Sequence, residues 1–158
     1  MSKIIEVQEH DAATLLPLLR DVQGLHVDAH PDIFRSDTSD EEMESFLRAF
    51  LSRATVTALA HHSVDGIVNG YLIYEVQTRG ESALKTARQV GFLHQVAVKK
   101  SLRGQGIGSK LADEMKSRLR AMGISRLCSE HFSFNEPSAS FLRSLGMTPI
   151  RITVEGDL

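Results

Sequence analysis

An α/β or α+β fold with a mixed central sheet is predicted by three observations. Short β-branched or alternating segments take turns with amphipathic segments, in the order β-αα-ββ-β-α-β-α-β. One glycine-rich run, Arg103-Gly104-Gln105-Gly106-Ile107-Gly108, is wedged between an apolar strand and an amphipathic helix. No internal repeat or low-complexity linker interrupts the 158 residues, so 1–158 is expected to form a single domain.

The elements follow from local chemistry. Residues 3–8 are β-branched and partly alternating, which predicts a first strand. Asp11 is placed to cap the next helix, whose inward face would carry Leu15, Leu18, Leu19, Val22 and Leu25. His30-Pro31 ends that helix, because a residue before proline resists the α region. Ser39 and Glu42 have capping-box spacing, ahead of a stripe of Met43, Phe46, Leu47, Phe50 and Leu51. Val56, Ala58 and Ala60 read as a strand, Asp65-Gly66 as a hairpin turn, and 67–76 as the returning strand. Residues 78–89 are polar and without period, which predicts an exposed loop. Strand 91–98 leads into the glycine run. Ile107, Leu111, Met115, Leu119 and Met122 then mark one face of a helix that Gly123 can end. Residues 126–132 read as a short strand, Pro137 as the first turn of a helix running to Gly146, and 147–155 as a last strand.

Composition narrows the function. A net charge of -2 argues against a general nucleic-acid binder. The single cysteine, Cys128, cannot form an internal disulfide and suits a reducing compartment. No signal pattern and no bilayer-length apolar run is visible, so the expectation is a soluble cytoplasmic protein without a membrane partner. His61-His62 lacks a third ligand at sensible spacing; it reads as a solvated strand end, and no metal is expected.

The glycine run points to a phosphate-bearing ligand. Glycines let peptide N–H groups approach an anion, and the helix behind them adds unsatisfied N–H groups and the positive end of its dipole. The spacing fits neither a Walker loop, since Ser109-Lys110 follow the wrong glycines, nor a dinucleotide fingerprint, which needs glycine at Ser109.

Arg/Gln-x-x-Gly-x-Gly after a strand resembles the acetyl-CoA loop of the GCN5-related N-acetyltransferases (GNAT). Val96-Ala97-Val98 is similar to the strand entering that loop, and Ile107 to Met122 to the helix behind it. Asn135, Phe141 and Leu145-Gly146 resemble a second family segment. His30-Pro31-Asp32-Ile33-Phe34 resembles a segment near the substrate in one bacterial branch.

The resemblance implies a mostly antiparallel mixed sheet flanked by helices, with two parallel strands splayed at the acetyl-CoA site. It implies transfer of acetyl from acetyl-CoA to a primary amine of a small molecule or peptide by direct attack, without a metal. Backbone groups of Val96, Ala97 and Val98 would pair with pantetheine. Arg103, Gly104, Gln105, Gly106, Ile107, Gly108 and Ser109 would hold the pyrophosphate, and Asn135 would reach the pantetheine arm. A homodimer is compatible with the family.

For the chemistry, His94 is the candidate base: it precedes Val96 by two residues, and imidazole suits proton transfer near neutral pH. Its bland alternative is a half-buried histidine bonded to a neighbour. Gln95 either binds substrate or is satisfied within its strand; Phe34 and Phe132 are candidate acceptor-binding residues, with core packing as the alternative for Phe132. Relatives usually carry a tyrosine four residues before the glycine ending the last helix; here that position is Leu142. A CoA-binding sensor or interaction module with weak catalysis is therefore the competing function.

Overall fold

The computed structural model describes residues 3–158. Five strands form one open sheet in the order β1 (Lys3–Val7), β2 (Val56–His62), β3 (Val68–Arg79), β4 (Arg88–Val98), β5 (Leu127–Ser129). The first four pair antiparallel in sequence order; β5 alone runs parallel to its neighbour β4. Helices α1 (Leu16–Ala29) and α2 (Asp40–Leu51) cover one face, and α3 (Ile107–Ala121) and α4 (Glu136–Ser144) the other.

Two apolar clusters result, one per face. Leu15, Leu19, Leu47, Ala58, Tyr71, Ile73 and Ala97 meet on the α1/α2 side. Leu59, Leu72, Leu93, Leu111, Met115 and Leu142 meet on the α3/α4 side. Alternation along β2 and β3 deals successive side chains to the two clusters, which is why both strands read as almost continuously apolar. The predicted capping box is present: Ser39 Oγ accepts from Glu42 N–H at 3.1 Å, and the Glu42 carboxylate accepts from Ser39 N–H at 2.9 Å. The hairpin turn is also in place, with Ser63 N–H donating to Ile67 C=O at 2.8 Å.

Several expectations are corrected. Asp11 caps no α-helix; it lies inside a 3₁₀ turn, Glu9–Leu15, and α1 begins where Pro17 fits a first turn that needs no N–H from it. Leu25 and Phe46 lie at the rims of their stripes and are exposed. β3 and β4 extend as a hairpin ladder to Arg79↔Arg88, so the expected loop over 78–89 is shorter. Met122 points to solvent because the helix has already ended. Gly123 adopts φ 76°, and Ile124 N–H returns to Leu119 C=O at 2.9 Å, so that Ile124 takes the inward place. His61 is buried, not solvated, and among the described residues its Nδ1 has no hydrogen-bond partner.

The largest correction is at the C-terminal end: residues 147–155 form no strand. The same αL turn that ends α4 ties Met147 N–H to Leu142 C=O at 3.1 Å, and Pro149 has no N–H to give a ladder. Beyond it Ile150, Ile152 and Val154 are 79%, 83% and 87% exposed. Alternation shows which side chains can share a face; a strand also needs an edge to pair with.

Candidate active site

A β-bulge organises the site. Ile73 pairs with Gln95 but Tyr74 pairs with Leu93, so His94 is the extra residue on β4. The bulge breaks the side-chain alternation. Leu93 belongs to the α3/α4 cluster and Val96 packs against it, while His94 and Gln95, two consecutive residues, both turn to the α1/α2 face. There His94 meets the Phe50 ring edge-on at 4.9 Å and Phe92 at 4.8 Å, and Gln95 Oε1 accepts from the buried Tyr71 hydroxyl at 3.0 Å.

The bulge also coincides with the point where β4 and β5 separate. The parallel ladder covers only Gly91–Leu93 against Leu127–Ser129. From His94 to Val98 that edge of β4 has no neighbouring strand among the described residues. Because Lys99 N–H donates across to Asn69 C=O on the β3 side, alternation turns the backbone groups of Val96 and Val98 to the open edge. The peptide of Ala97 is directed to β3 instead, and its side chain is buried in the α1/α2 cluster.

The glycine loop closes one end of this opening. Gly104 and Gly106 have φ of 77° and 78°, left-handed values that suit residues without Cβ. Helical bonding in α3 starts only with Lys110 N–H to Gly106 C=O at 3.0 Å. The N–H groups of Ile107, Gly108 and Ser109 therefore have no helical partner. Gly108 serves packing as well: a Cβ there would sit 3.2 Å from the Phe141 ring, so its absence lets α4 approach α3. The Arg103 guanidinium donates to Val98 C=O at 3.2 Å, and the Gln105 amide lies 3.5 Å from Ser101 C=O. Asn135 is the N-cap of α4, its Oδ1 accepting from Ser138 N–H at 3.1 Å, which leaves its amide N–H groups uncommitted.

One residue of this site escaped the sequence reading. Glu75, buried on β3, places Oε2 2.9 Å from His94 Nε2. Thr55 Oγ1 donates to its other oxygen at 2.9 Å, Gln77 Nε2 donates to Oε2 at 3.2 Å, and Arg53 completes the set with an ion pair. Burial by itself pushes the Glu75 carboxyl up. The hydrogen bonds from His94, Gln77 and Thr55 and the Arg53 charge together hold it below the usual carboxylate range. An ionised Glu75 can only accept, so Nε2 of His94 is the donor in this hydrogen bond, which in the neutral imidazole leaves the lone pair on Nδ1. A signal was available: Tyr71, Ile73 and Glu75 alternate on one face of an apolar run, which places a carboxylate in the core.

Phe34 and Phe132, 98 positions apart, come together with ring centroids 5.0 Å apart. His26, His30 and Phe134 complete the aromatic cluster; His26 lies 4.8 Å from Phe34 and 5.6 Å from Phe132. Gln95 is not part of this cluster; its side chain bonds to Tyr71 instead. Leu142, at the place where a tyrosine would stand in relatives, is buried in the α3/α4 cluster, packed by the turn that ends α4. Cys128 is a half-buried free thiol, and Ser140 is exposed. Among the described residues no group of three or more His, Cys, Asp or Glu could hold a metal, and no helix is long and apolar enough to cross a membrane.

Comparison with known proteins agrees with this geometry. The BH1408 protein from Bacillus halodurans, in a tetramutant crystal structure, superimposes with a TM-score of 0.89 at 23% identity, covering 99% of each chain. The aminoglycoside 6'-N-acetyltransferase AAC(6')-Ih from Acinetobacter baumannii gives 0.74 at 16% identity, over 100% of this chain and 98% of that one. A ribosomal-protein-alanine N-acetyltransferase from Brucella melitensis biovar Abortus 2308 gives 0.72 at 17%, over 100% and 99%. At these identities the likeness is one of fold. A sequence search among curated proteins finds no match. The model of the acetyltransferase (GNAT) family matches residues 20–147, a span that holds the bulge, the open β4 edge and the glycine loop. By that match this chain belongs to the GNAT acetyltransferases.

Proposed function

We propose that this protein transfers the acetyl group of acetyl-CoA to a primary amine of a small molecule or peptide by direct nucleophilic attack, within one domain spanning the chain. The observation that carries the reading is His94, displaced by the bulge to the mouth of the opening between β4 and β5 and held there through Nε2 by Glu75. Its Nδ1 is the atom assigned to take the amine proton, directly or through one water.

Acetyl-CoA, when bound, supplies an activated thioester, so carbonyl polarisation needs only a positioned donor. The N–H of Val96 on the open edge is assigned that role, and the backbone of Val96 and Val98 the pairing with pantetheine. The free N–H groups of Ile107, Gly108 and Ser109, with Gly104, Gln105, Gly106 and Arg103, are assigned to the pyrophosphate, and the Asn135 amide to the pantetheine arm. The amine nitrogen bonds to the carbonyl carbon, the carbon–sulfur bond breaks, and CoA leaves as a thiolate protonated from solvent. Gln95, Phe34 and Phe132 are assigned to the acceptor side. The acetyl group comes to an amine such as those of aminoglycosides or ribosomal proteins, the acceptors in the names of the structural neighbours.

A second reading, a CoA-binding module with weak turnover, is favoured by the buried Leu142, which has no proton to give a leaving thiolate. Thiol release from acetyl-CoA across a panel of polyamines, amino sugars, amino acids and peptide N-termini separates the two. Turnover on one class that falls in His94→Ala supports the transferase. Tight CoA binding with no thiol release on any amine sinks it in favour of the module.

A further inference from the structure

We propose that the acceptor amine belongs to an acidic molecule, whose carboxylate or phosphate, ~10–13 Å from the nitrogen, is held by Arg79 and Arg88. The proposal rests on the transferase reading for the place of the amine beside His94, and it adds the charge of the molecule that carries the amine.

The β3/β4 ladder ends with Arg79 directly opposite Arg88. Like charges facing each other across a strand pair destabilise it. Neither guanidinium has a carboxylate partner among the described residues, although Glu81 is only two positions past Arg79. Arg79 donates to a neutral group instead, Gln77 Oε1 at 3.3 Å. An anion between the two arginines turns repulsion into attraction, and their planar forks match the oxygens of a carboxylate or phosphate.

The pair stands on the same face of the sheet as His94. Arg79 bonds to Gln77, Gln77 donates to Glu75, and Glu75 accepts from His94, so positions 75, 77 and 79 share one side of β3. On β4, Phe92 packs against His94, and alternation brings Val90 and Arg88 to that side as well. Four residues of strand separate Glu75 from Arg79, about 13 Å, and the length of the arginine side chain shortens the span to a ligand. The half-buried Phe92 ring lies between the two ends, an apolar floor for the body of the molecule.

The balance of charge along this strip decides its sign. Glu75 is its acid, and that carboxylate is engaged by His94, Gln77, Thr55 and Arg53, whose charge cancels it. Arg79 and Arg88 remain uncompensated. A second ammonium, as in a polyamine, meets repulsion there, and an acid meets two donors.

Three amines of matched length test the subsite: 8-aminooctanoate, octylamine and 1,8-diaminooctane. Their binding in the presence of CoA is read by calorimetry, so the outcome does not depend on turnover. The acid should bind about 5- to 10-fold more tightly than the diamine, with octylamine between them. Arg79→Gln with Arg88→Gln should bring the three affinities together. Arg88→Gln alone, which leaves the Gln77–Glu75–His94 chain intact, should remove most of the preference. Equal affinities in the parent protein, or a preference that survives the double substitution, overturn the proposal. The peptides Ala-Ala-Glu-Ala and Ala-Ala-Lys-Ala repeat the comparison on an extended backbone, and the series with the larger gain identifies the source of the acid. Thiol release from acetyl-CoA with the same compounds is a separate measurement: acid-selective binding without release rejects the transferase reading and leaves the arginine subsite standing.

Discussion

The two sides of the candidate site are built in different ways. The proposed donor side is backbone: the open edge of β4, two left-handed glycines and three free N–H groups at the start of α3, all within residues 96–109. The proposed acceptor side is side chains: His94 from β4, Glu75 from β3, Phe50 from α2, Arg53 and Thr55 from the turn after it, and an aromatic cluster shared by α1 and the segments after α1 and β5. Backbone geometry is set by local residue types, so one continuous motif can encode it. A side-chain network exists only once distant elements have docked, and each member depends on the others. The donor side should thus tolerate most single side-chain changes and fail at its glycines, whereas the acceptor side should weaken wherever it is touched.

Removing the assigned base should have the largest effect. His94→Ala is expected to lower kcat/KM for the best amine by about 10²–10⁴-fold, the usual range for a general base, with the KM for acetyl-CoA little changed. Turnover at the parent level across pH in that variant would remove His94 from the chemistry.

Gly106→Val breaks the donor side instead. The added Cβ meets no protein atom within 4 Å, so the fold has room, but φ of 78° is strained for a β-branched residue. That strain is on the order of 1–3 kcal/mol and should raise the KM for acetyl-CoA about 10- to 100-fold while kcat falls less. Unchanged CoA affinity by calorimetry would mean that the loop is not the donor site.

Glu75→Gln keeps the shape of the network but lets the side chain donate as well as accept, so it no longer fixes which nitrogen of His94 is protonated. A kcat decrease of roughly tenfold is expected, the worth of one hydrogen bond to a charged group, with the acetyl-CoA KM unaffected. A KM effect without a kcat effect would place Glu75 in structure rather than in positioning His94.

The smallest effects concern stability and separate two pH windows. His61 is held below the ordinary histidine value by burial and then by the Lys110 charge, so the unfolded chain takes up its proton first. Stability should therefore decline as pH falls below about 6.5, and His61→Gln should remove this step in thermal melts. Glu75, held below the usual carboxylate range, contributes stability that is complete above pH about 4.5 and lost as pH falls further. Urea midpoints from pH 5 to 3 should show that loss in the parent and less of it in Glu75→Gln. A flat profile between pH 5 and 3 in the parent contradicts the Glu75 assignment.

How much could be read in advance follows the same division. The capping box at Ser39 and Glu42, the Gly66 turn, the glycine loop and the end of α3 at Gly123 were legible, because each is a short-range rule about φ, N–H groups or side-chain reach. The place of His94 on the strand entering the loop was legible, though not its hydrogen bond to Glu75. Its offset from the alternation was not, because a bulge is a relation between two strands. The segment after Gly146 misled for a related reason: its alternation is real, but alternation does not report pairing, and among the described residues the segment pairs with no strand.

Taken alone, then, the sequence determined the order of strands and helices as far as α4, the mixed sheet and a loop made of backbone donors, since periodicity, capping and glycine act over a few residues. Tertiary structure decided the rest. It set the bulge that turns His94 and Gln95 to one face, the burial of Glu75 against His94, the meeting of Phe34 with Phe132, and the burial of Leu142. Each of these joins residues far apart in the chain, and their energies come from packing and desolvation that exist only in the folded molecule.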